Sequence, residues 1–388
     1  MAIGNPSLLI LGTRGIPAAH GGFETFAERL ALFLVARGWS VTVYCQKDVA
    51  EVADRITVDR YGDIERITVE VAAPGPRGTL EFDWHSILDA ARRPGVCLVL
   101  GYNSAVMLPV LRLFGRKIVT NMDGVEWQRP KWSLPVRAWF FVNEWIAAWS
   151  SHRLVADHPG IADHLATRRP RAATVMIPYG ADPVLEAPDT PIRALGLAPD
   201  RYLVSIARIE PDNNIALLVE AFSRRPRGMK LVVLGALDDS RPYHRAVKAA
   251  AGPEVVFTGG IYVPETLRAL RFHARAYLHG HTVGGTNPSL VEALWAGNAV
   301  IAHDNPFNRW TAGDAGLFFK TVDDCDRLIG EVLEQDDLVT RLRAAARRQA
   351  AVEFEWDHIL KAYERELLAF SDVPAPAPLR SLTEDGAR

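Results

Sequence analysis

The sequence predicts an α/β protein made of two parallel-sheet domains that face each other across a cleft. Short apolar runs rich in β-branched residues alternate with longer helical patterns, which is typical of parallel sheets covered by helices. The alternation begins again after a proline-rich stretch at residues 178–191. A chain of 388 residues is also longer than most domains that fold around a single hydrophobic core.

We place the first domain at residues 1–190 and the second at 191–355. A helix at 356–371 is expected to return to the first domain, and the tail at 372–388 is expected to be disordered. The first domain opens with a strand at Ser7–Gly12, a glycine-containing loop and a helix that begins near Phe23 and stops at Gly38. Its further strands are predicted at Val41–Cys45, Ile67–Val71, Val96–Leu100, Lys117–Thr120 and Arg153–Ala156.

The second domain repeats this order of elements. It starts with a strand at Tyr202–Ala207 and a helix at Ile215–Ser223, and a later helix is predicted at Pro264–His273. Its other strands are predicted at Lys230–Gly235, Val255–Thr258, Ala276–Gly280, Ala299–Ala302 and Gly316–Phe319. Helices from about Asp323 to Leu367 complete the fold. Open parallel sheets bind ligands at the carboxyl ends of their strands, so the loops there are the first candidates for function.

The composition excludes several classes of function. The hydrophobic fraction of 48% and the charged fraction of 23% are those of a globular protein, and a net charge of −2 gives no general attraction to nucleic acid or to an anionic membrane. Cys45, Cys97 and Cys325 lack metal-site spacing and suit a reducing compartment, so we expect a cytoplasmic protein. His279 and His281 share a strand face, but no third and fourth ligand has a recognisable spacing. We therefore expect no metal site and no cofactor.

The most informative segment is Gly284-Gly285-Thr286-Asn287-Pro288-Ser289, directly after a predicted strand. Asn287 suits a helix cap and Pro288 suits the first helical turn. A strand followed by a glycine turn and the start of a helix forms an anion site. Backbone N–H groups and the positive end of the helix dipole point to the same place there. Glu292, just past the first turn, is placed to accept hydrogen bonds from a ribose diol. The segment predicts a nucleoside diphosphate site, and an ordinary capped helix is the alternative.

Two further loops carry candidate donor contacts. Arg208 follows a predicted strand, where its guanidinium suits the clamping of phosphate oxygens. The alternative is a loop ion pair with Glu210 or Asp212. Gly21 and Gly22 precede a helix in the first domain without forming a dinucleotide fingerprint. They predict either a loop that covers a phosphate or sugar, or a plain strand–helix connection.

Candidate acceptor-side residues follow the strand at Lys117–Thr120. Asp123 and Glu126 are placed to orient or deprotonate an acceptor hydroxyl, and solvated loop acids are the alternative. The next segment has aromatic residues at helical spacing, namely Trp132, Trp139, Phe140, Trp145 and Trp149. That helix is either part of a core or an amphipathic surface that touches a membrane-borne acceptor.

Together these motifs resemble the retaining glycosyltransferases of the glycosyl transferases group 1 class, which has the GT-B fold of two facing Rossmann-like domains. The chain is most similar to the bacterial rhamnosyltransferase-type branch, which builds surface polysaccharides, and the resemblance extends to about Phe370. The segments that carry it are Gly12-Thr13-Arg14-Gly15-Ile16-Pro17, Gly21-Gly22-Phe23-Glu24-Thr25, Asn121-Met122-Asp123-Gly124-Val125-Glu126-Trp127, Arg208-Ile209-Glu210-Pro211, Gly284 to Glu292, and Asp304-Asn305-Pro306-Phe307-Asn308.

The resemblance implies that Glu292 holds the ribose and Arg208 the diphosphate, while Gly21 and Gly22 approach the donor phosphate. With the residues above, the full donor set is Gly21, Gly22, Arg208, Gly284, Gly285, Thr286, Asn287, Ser289 and Glu292, and the catalytic set is Asp123, Glu126 and Arg208. Two positions depart from the class. Gly284 stands where a second Glu is usual, and Asn213 stands where a Lys is usual.

We therefore expect a metal-independent transferase that moves a sugar, rhamnose or another hexose, from a dTDP-, UDP- or GDP-linked donor to a saccharide hydroxyl. The resemblance implies retention of configuration. The acceptor is expected to be lipid-linked and the enzyme to act at the inner face of the plasma membrane. The alternatives are a nucleotide-sugar epimerase of the same fold and a non-catalytic nucleotide-sugar-binding component of a polysaccharide assembly complex.

Overall fold

The computed structural model describes residues 5–19, 21–129 and 131–372. Within these ranges the chain forms two compact α/β domains. The first domain contains the described residues of Met1–Trp127, Leu134–Ile177 and Leu360–Arg388, and the second those of Gln128–Ser133 and Pro178–Ile359. Of the predicted disordered tail, residues 373–388 lie outside the described residues.

The strands of the first domain are β1 (Ser7–Leu11), β2 (Ser40–Asp48), β3 (Ile56–Tyr61), β4 (Ile64–Val71), β5 (Val96–Leu100), β6 (Lys117–Asn121), β7 (Arg153–Ala156) and β8 (Thr174–Met176). In the described residues they form one eight-stranded sheet in the order β3-β4-β2-β1-β5-β6-β7-β8. Neighbouring strands are parallel except for β3, which is antiparallel to β4. The helices up to β8 are α1 (Gly22–Val35), α2 (Pro76–Ala90), α3 (Leu108–Leu113), α4 (Leu134–Ser150) and α5 (Pro159–Ala166).

Continuous apolar runs form the centre of this sheet because helices cover both of its faces. β1 and β5 are buried along almost their whole length.

Sequence reasoning missed two edge strands. β3 is largely exposed and mixed in polarity, and a turn at Gly62, with φ of 57°, reverses the chain into β4. β8 has only three residues, too few to show a periodicity.

The second domain has the strands β9 (Tyr202–Ile206), β10 (Lys230–Leu234), β11 (Val255–Gly259), β12 (Ala276–His279), β13 (Ala299–His303) and β14 (Gly316–Phe319). In the part of the chain that the structure describes, they form a six-stranded parallel sheet in the order β11-β10-β9-β12-β13-β14. Its helices are α6 (Thr190–Ala194), α7 (Ile215–Ser223), α8 (Pro242–Ala249), α9 (Pro264–Phe272), α10 (Pro288–Trp295), α11 (Pro306–Ala312), α12 (Val322–Glu334) and α13 (Asp336–Glu353). Separate apolar clusters bury the two faces of this sheet.

The last helix, α14 (Trp356–Leu368), passes from the second domain to the first. Its later residues pack on the first domain through polar contacts as well as apolar ones. The hydroxyl of Tyr363 accepts a hydrogen bond of 2.8 Å from the side-chain amide of Asn121. The carboxylate of Glu364 binds the guanidinium of Arg37 at 2.8 Å and the indole N–H of Trp39 at 3.2 Å.

Each sheet has a point where the strand order reverses. In the first sheet the chain moves outward from β1 through β2 and then returns to place β5 on the other side of β1. In the second sheet the same reversal lies between β9 and β12. Loops that leave neighbouring strands in opposite directions open a crevice at the carboxyl ends of those strands, which is where such sheets bind ligands. No helix in the described ranges is long and apolar enough to cross a membrane.

Candidate active site

The loop after β9 presents Arg208 at the switch point of the second sheet. Arg208 is exposed and makes no ion pair with any residue that the structure describes. Its carbonyl oxygen accepts a hydrogen bond of 2.8 Å from the side-chain amide of Asn213, which fixes the loop. The two neighbouring acids bind other arginines, in the pairs Glu210–Arg241 at 2.9 Å and Asp212–Arg129 at 3.4 Å. The alternative of a loop ion pair for Arg208 is therefore wrong.

The loop after β12 is joined tightly to the loop that carries Arg208. A Cβ atom at Gly280 would collide with the carbonyl oxygen of Asn213, so only glycine allows this approach. The side-chain amide of Asn214 donates to the Gly280 oxygen at 3.0 Å, and the N–H of Thr282 donates to the Asp212 oxygen at 2.9 Å. The two loops therefore form one unit at the carboxyl edge of the sheet.

The glycine turn leads into α10 with the predicted cap. The side-chain oxygen of Asn287 accepts a hydrogen bond of 3.0 Å from the N–H of Ser289. Gly284 has φ of 139°, in the region that favours glycine, and open space surrounds the position of a Cβ atom. The Ser289 hydroxyl bonds to the Tyr277 hydroxyl at 2.8 Å and to the Ile206 carbonyl at 3.2 Å. Ser289 thus supports the turn from within the domain.

Glu292 is held by a cation that sequence reasoning missed. Its carboxylate forms an ion pair with Arg271 at the end of α9. The Arg271 side chain is only 8% exposed whereas that of Glu292 is 39% exposed, so the guanidinium lies beneath the carboxylate. Arg271 also donates to the Ser289 hydroxyl at 3.3 Å. The buried arginine therefore orients Glu292 and the first turn of α10 together.

Two stacked histidines lie beside these loops. The rings of His279 and His281 are 4.3 Å apart and nearly parallel, at 9°. Neither ring nitrogen of His279 has a hydrogen-bond partner among the described residues, although the residue is only 1% exposed. Burial lowers the pKa of His281 to about 4; Asp212 opposes this change, and the positive charges of Arg129 and Arg208 reinforce it. His281 is therefore an uncharged imidazole near Arg208 at neutral pH.

The first domain has a cavity of about 110 Å³ at its own switch point, lined by the loops after β1 and β5 and by α2. Glu24 braces the loop after β1, because its carboxylate accepts hydrogen bonds from the Thr13 hydroxyl at 3.2 Å and the Arg14 N–H at 2.9 Å. Asp83 of α2 also lines the cavity and accepts a hydrogen bond from the Ser104 hydroxyl. Burial raises the pKa of Asp83 to about 6, although the Ser104 hydrogen bond works in the opposite direction.

Asp123 and Glu126 lie in the loop after β6, the strand next to β5. Asp123 has φ of 50°, and its N–H donates to the side-chain oxygen of Asn121 at 2.9 Å. The Tyr102 hydroxyl accepts the Glu126 N–H at 2.8 Å and donates to the Gly124 carbonyl at 3.1 Å. Both acids are thus on a loop that is anchored to the neighbouring loop after β5, and neither lines the cavity.

Gly21 and Gly22 begin α1. Gly21 is the capping residue in an extended conformation, with φ of 176°, and no side chain caps the helix there. A Cβ atom at Gly21 would lie 3.2 Å from a carboxylate oxygen of Glu24. The two glycines therefore leave the start of α1 uncovered by side chains of their own, beside an acid that braces the preceding loop.

Comparison with known proteins decides the class of enzyme. Residues 192–349 match the family described as glycosyl transferases group 1. The protein is a glycosyltransferase. Residues 6–182 match a second family, described as a domain of unknown function (DUF1972). A comparison with curated protein sequences finds no match.

Solved structures establish the fold of this glycosyltransferase. Sucrose-phosphate synthase from Thermosynechococcus elongatus superposes with a TM-score of 0.78 at 18% identity, covering 94% of this chain and 100% of the other. The trehalose-phosphate synthase of Burkholderia xenovorans, in complex with glucose-6-phosphate, gives 0.71 at 14% identity, covering 93% and 99%. Anabaena HepE, in complex with UDP, gives 0.69 at 14% identity, covering 94% and 100%. The predicted GT-B fold is confirmed.

The glycosyltransferase divides its predicted site residues between the domains. Gly21, Gly22, Asp123 and Glu126 lie in the first domain, and Arg208 lies in the second with Gly284, Gly285, Thr286, Asn287, Ser289 and Glu292. Within the second domain, the set gathers on the loops after β9 and β12 and on α10, which follow adjacent strands. Sequence reasoning missed Asp83 and Arg271 because both lie inside helices and belong to no motif. It named His281 only as a zinc candidate and rejected that role.

Proposed function

We propose that the enzyme transfers a hexose from a nucleoside diphosphate to a saccharide hydroxyl and that its second domain holds the donor. One observation carries the proposal. Arg208 has no ion pair within the described residues and lies on the loop that Gly280 joins to the capped glycine turn. An uncompensated guanidinium beside a helix N-terminus suits a diphosphate. The complexes of similar proteins with UDP and with glucose-6-phosphate agree with a nucleotide product and a sugar-based acceptor.

Each donor-side residue receives a role under this proposal. Arg208 and the backbone ahead of the Asn287 cap stabilise the charge that develops on the leaving diphosphate, and such electrostatic stabilisation usually contributes most to catalysis of this kind. Glu292, oriented by Arg271, accepts hydrogen bonds from the ribose. His281 supplies a neutral hydrogen-bonding group next to Arg208, because its lowered pKa keeps it uncharged. The donor is dTDP-, UDP- or GDP-linked.

The departures at Gly284 and Asn213 support a proposal for the donor sugar. Gly284 contributes no carboxylate and leaves open space at its Cβ position. Asn213 binds the Arg208 carbonyl instead of providing a second cation. A site with one carboxylate fewer suits a sugar with one hydroxyl fewer, so we propose a deoxyhexose such as rhamnose as the donor sugar, with another hexose as the alternative. The resemblance of the motifs supports transfer with retention of configuration.

The acceptor side belongs to the first domain. Its cavity offers Glu24, Asp83 and the Ser104 hydroxyl at the switch point, a set of groups that hydrogen-bonds to sugar hydroxyls. Asp123 or Glu126, on the anchored loop after β6, then orients or deprotonates the hydroxyl that attacks. We propose a lipid-linked saccharide of a bacterial surface polysaccharide as the acceptor. The reaction then takes place at the inner face of the plasma membrane.

A binding screen followed by product analysis tests this function. We expect one nucleoside diphosphate and its sugar conjugates to stabilise the protein by about 2.7 kcal/mol at one hundred times the dissociation constant. Incubation with the matching donor and saccharide acceptors should give a glycoside whose anomeric configuration, read by NMR, equals that of the donor. Inversion would contradict retention, and no stabilisation by any nucleoside diphosphate would contradict the donor site.

Asp83 gives a separate prediction about pH. Its pKa of about 6 in the folded protein lies above the value of about 4 in an unfolded chain. The folded state therefore binds the proton more tightly, and the free energy of unfolding should fall as the pH rises from 4 to 6. We expect Asp83→Asn to remove this fall and to be more stable than the parent at pH 8, by about 3 kcal/mol.

Urea unfolding at pH 5 and pH 8 measures the effect, and Asp63→Asn is the control. Asp63 is exposed at the turn between β3 and β4, so its removal should leave the pH dependence unchanged. Arg14 and Glu24 are the other charged groups that line the cavity, and both remain in the variants. Parallel pH dependences for the parent and Asp83→Asn would show that Asp83 is not protonated in this range.

A further inference from the structure

One face of α4 is apolar and exposed. Leu134, Ala138, Val142, Trp145 and Trp149 recur at the three- and four-residue spacing that places side chains on one side of a helix. Leu134 is 77% exposed, Val142 51% and Trp149 60%. The opposite face carries the polar residues, since Asn143 and Glu144 are buried in the domain. An exposed apolar helix face of this extent marks a surface that binds something.

The neighbouring helix α3 extends this surface. α3 packs against α4, and the N–H of Val106, just before α3, donates to the side-chain oxygen of Asn143 at 2.8 Å. Val106 is exposed, as are Leu113 and Phe114 at the end of α3. We define the α3–α4 surface as these exposed apolar residues together: Val106, Leu113, Phe114, Leu134, Ala138, Trp139, Phe141, Val142 and Trp149.

Positive charge borders the α3–α4 surface at the end near Trp149. The Arg169 guanidinium lies 5.9 Å from the Trp149 ring and donates to the Ala148 carbonyl at 3.0 Å. Arg112 of α3 contacts the His152 ring at 2.6 Å. The pKa of His152 is lowered to about 4 by burial and by the positive charges of Arg112, Lys117 and Arg169. All three cations therefore lie near His152. None of the three forms an ion pair with an acid in the described ranges.

Acidic charge is nearly missing from the segments that build this surface. Residues 103–118 contain no Asp or Glu, and residues 134–153 contain only Glu144. Glu144 is directed inward, where it binds the Trp127 indole N–H at 3.0 Å and Arg168 at 2.6 Å. The surface therefore combines apolar side chains, tryptophans and uncompensated cations, which is the combination that binds an anionic bilayer.

We propose that the α3–α4 surface docks the enzyme on an anionic membrane. α4 lies in the plane of the interface with Leu134, Val142 and Trp149 among the acyl chains. Arg112, Lys117 and Arg169 contact lipid phosphates at one edge. The tryptophans suit this position because an indole ring is apolar over most of its area and has one polar N–H. The inference extends the proposed function by naming the surface that meets the membrane carrying the acceptor.

Vesicle flotation with the full chain tests the proposal, because it requires neither donor nor acceptor. We expect binding to vesicles of phosphatidylglycerol and phosphatidylcholine, with little binding to pure phosphatidylcholine and weaker binding at high salt. Val142→Ser/Trp149→Ser should weaken binding at least about tenfold. Arg112→Gln/Lys117→Gln should weaken it about fivefold for each charge removed. Tyr262→Ser, which removes an even more exposed aromatic side chain from the second domain, should leave vesicle binding unchanged.

The controls separate this proposal from the proposed function. Stabilisation by nucleoside diphosphate should be equal in all variants, which shows that each is folded with an intact donor site. If the protein binds vesicles but transfers no sugar, the transferase function is contradicted and the membrane proposal is not. If it transfers sugar but binds no vesicles, only the membrane proposal is contradicted. If Val142→Ser/Trp149→Ser instead converts an oligomer to a monomer and no vesicle binds, the surface contacts protein and the proposal is overturned.

Discussion

Arg208→Ala is expected to lower kcat about 10²–10³-fold, because it removes the side-chain cation proposed to stabilise the leaving diphosphate. The loss should appear in sugar transfer and not in folding. Arg208 is exposed and makes no ion pair in the residues described, so the free energy of unfolding should change by about 0.5 kcal/mol or less. Initial rates with saturating donor, compared with urea unfolding of the same samples, separate the two effects.

Arg193→Ala is the matched control for Arg208. Arg193 is an exposed arginine of the same domain, and its one ion pair among the described residues is with Asp189, the residue before its helix, at 2.7 Å. Its removal should leave transfer unchanged, since surface pairs of this kind contribute little. Near-normal kcat in Arg208→Ala would show that the guanidinium has no part in the mechanism, and it would contradict the proposed donor site.

Glu292→Ala is expected to reduce both turnover and stability. Without the carboxylate, the nearly buried Arg271 guanidinium loses its counterion, and its Nε already has no partner among the described residues. We expect a loss of about 2–3 kcal/mol in the free energy of unfolding, below the full range for buried pairs because Glu292 is 39% exposed. Turnover should fall at least about tenfold, since one hydrogen bond to a charged group contributes about 1.5–3 kcal/mol.

Arg271→Met separates the two roles of this ion pair. It removes the buried charge together with its need for a counterion, so Arg271→Met/Glu292→Ala should be more stable than Glu292→Ala alone. Turnover should stay low in the double variant, because the ribose contact is missing. Donor affinity in Arg271→Met should also fall, since Glu292 is no longer held in place. A double variant as unstable as Glu292→Ala would show that the buried charge is not the cause.

Sequence patterns predicted the parts of the fold that depend on local chemistry. The central strands are mostly apolar, so β1, β5, β9 and β12 were located to within a residue or two. Asn287 was predicted as a cap from its place before Pro288, and the structure confirms the cap through its contact with the Ser289 N–H. Such features require only a few consecutive residues, which is why the sequence alone reveals them.

Features that depend on packing were not predictable in this way. α4 is apolar around almost its whole circumference, so its sequence does not indicate which side the domain covers. The structure buries Asn143 and Glu144 and exposes Val142 and Trp149, which contradicts the interpretation of α4 as an ordinary core helix. The roles of Arg271 and Asp83 likewise depend on residues that are distant in sequence. Arg271 pairs with Glu292, and Asp83 binds the Ser104 hydroxyl.

The path of α14 has a consequence for biosynthesis. Glu364 binds Arg37 and Trp39, and Tyr363 binds Asn121. Both Tyr363 and Glu364 lie near the end of the described residues. The second domain is built almost entirely from the uninterrupted stretch Pro178–Ile359. On the ribosome, therefore, the amino-terminal lobe stays unfinished until Tyr363 and Glu364 have been made, and by then every residue of the other lobe has also been made. Domains generally fold in order from the amino terminus, but here the first domain gains its last contacts only after the second has been synthesised.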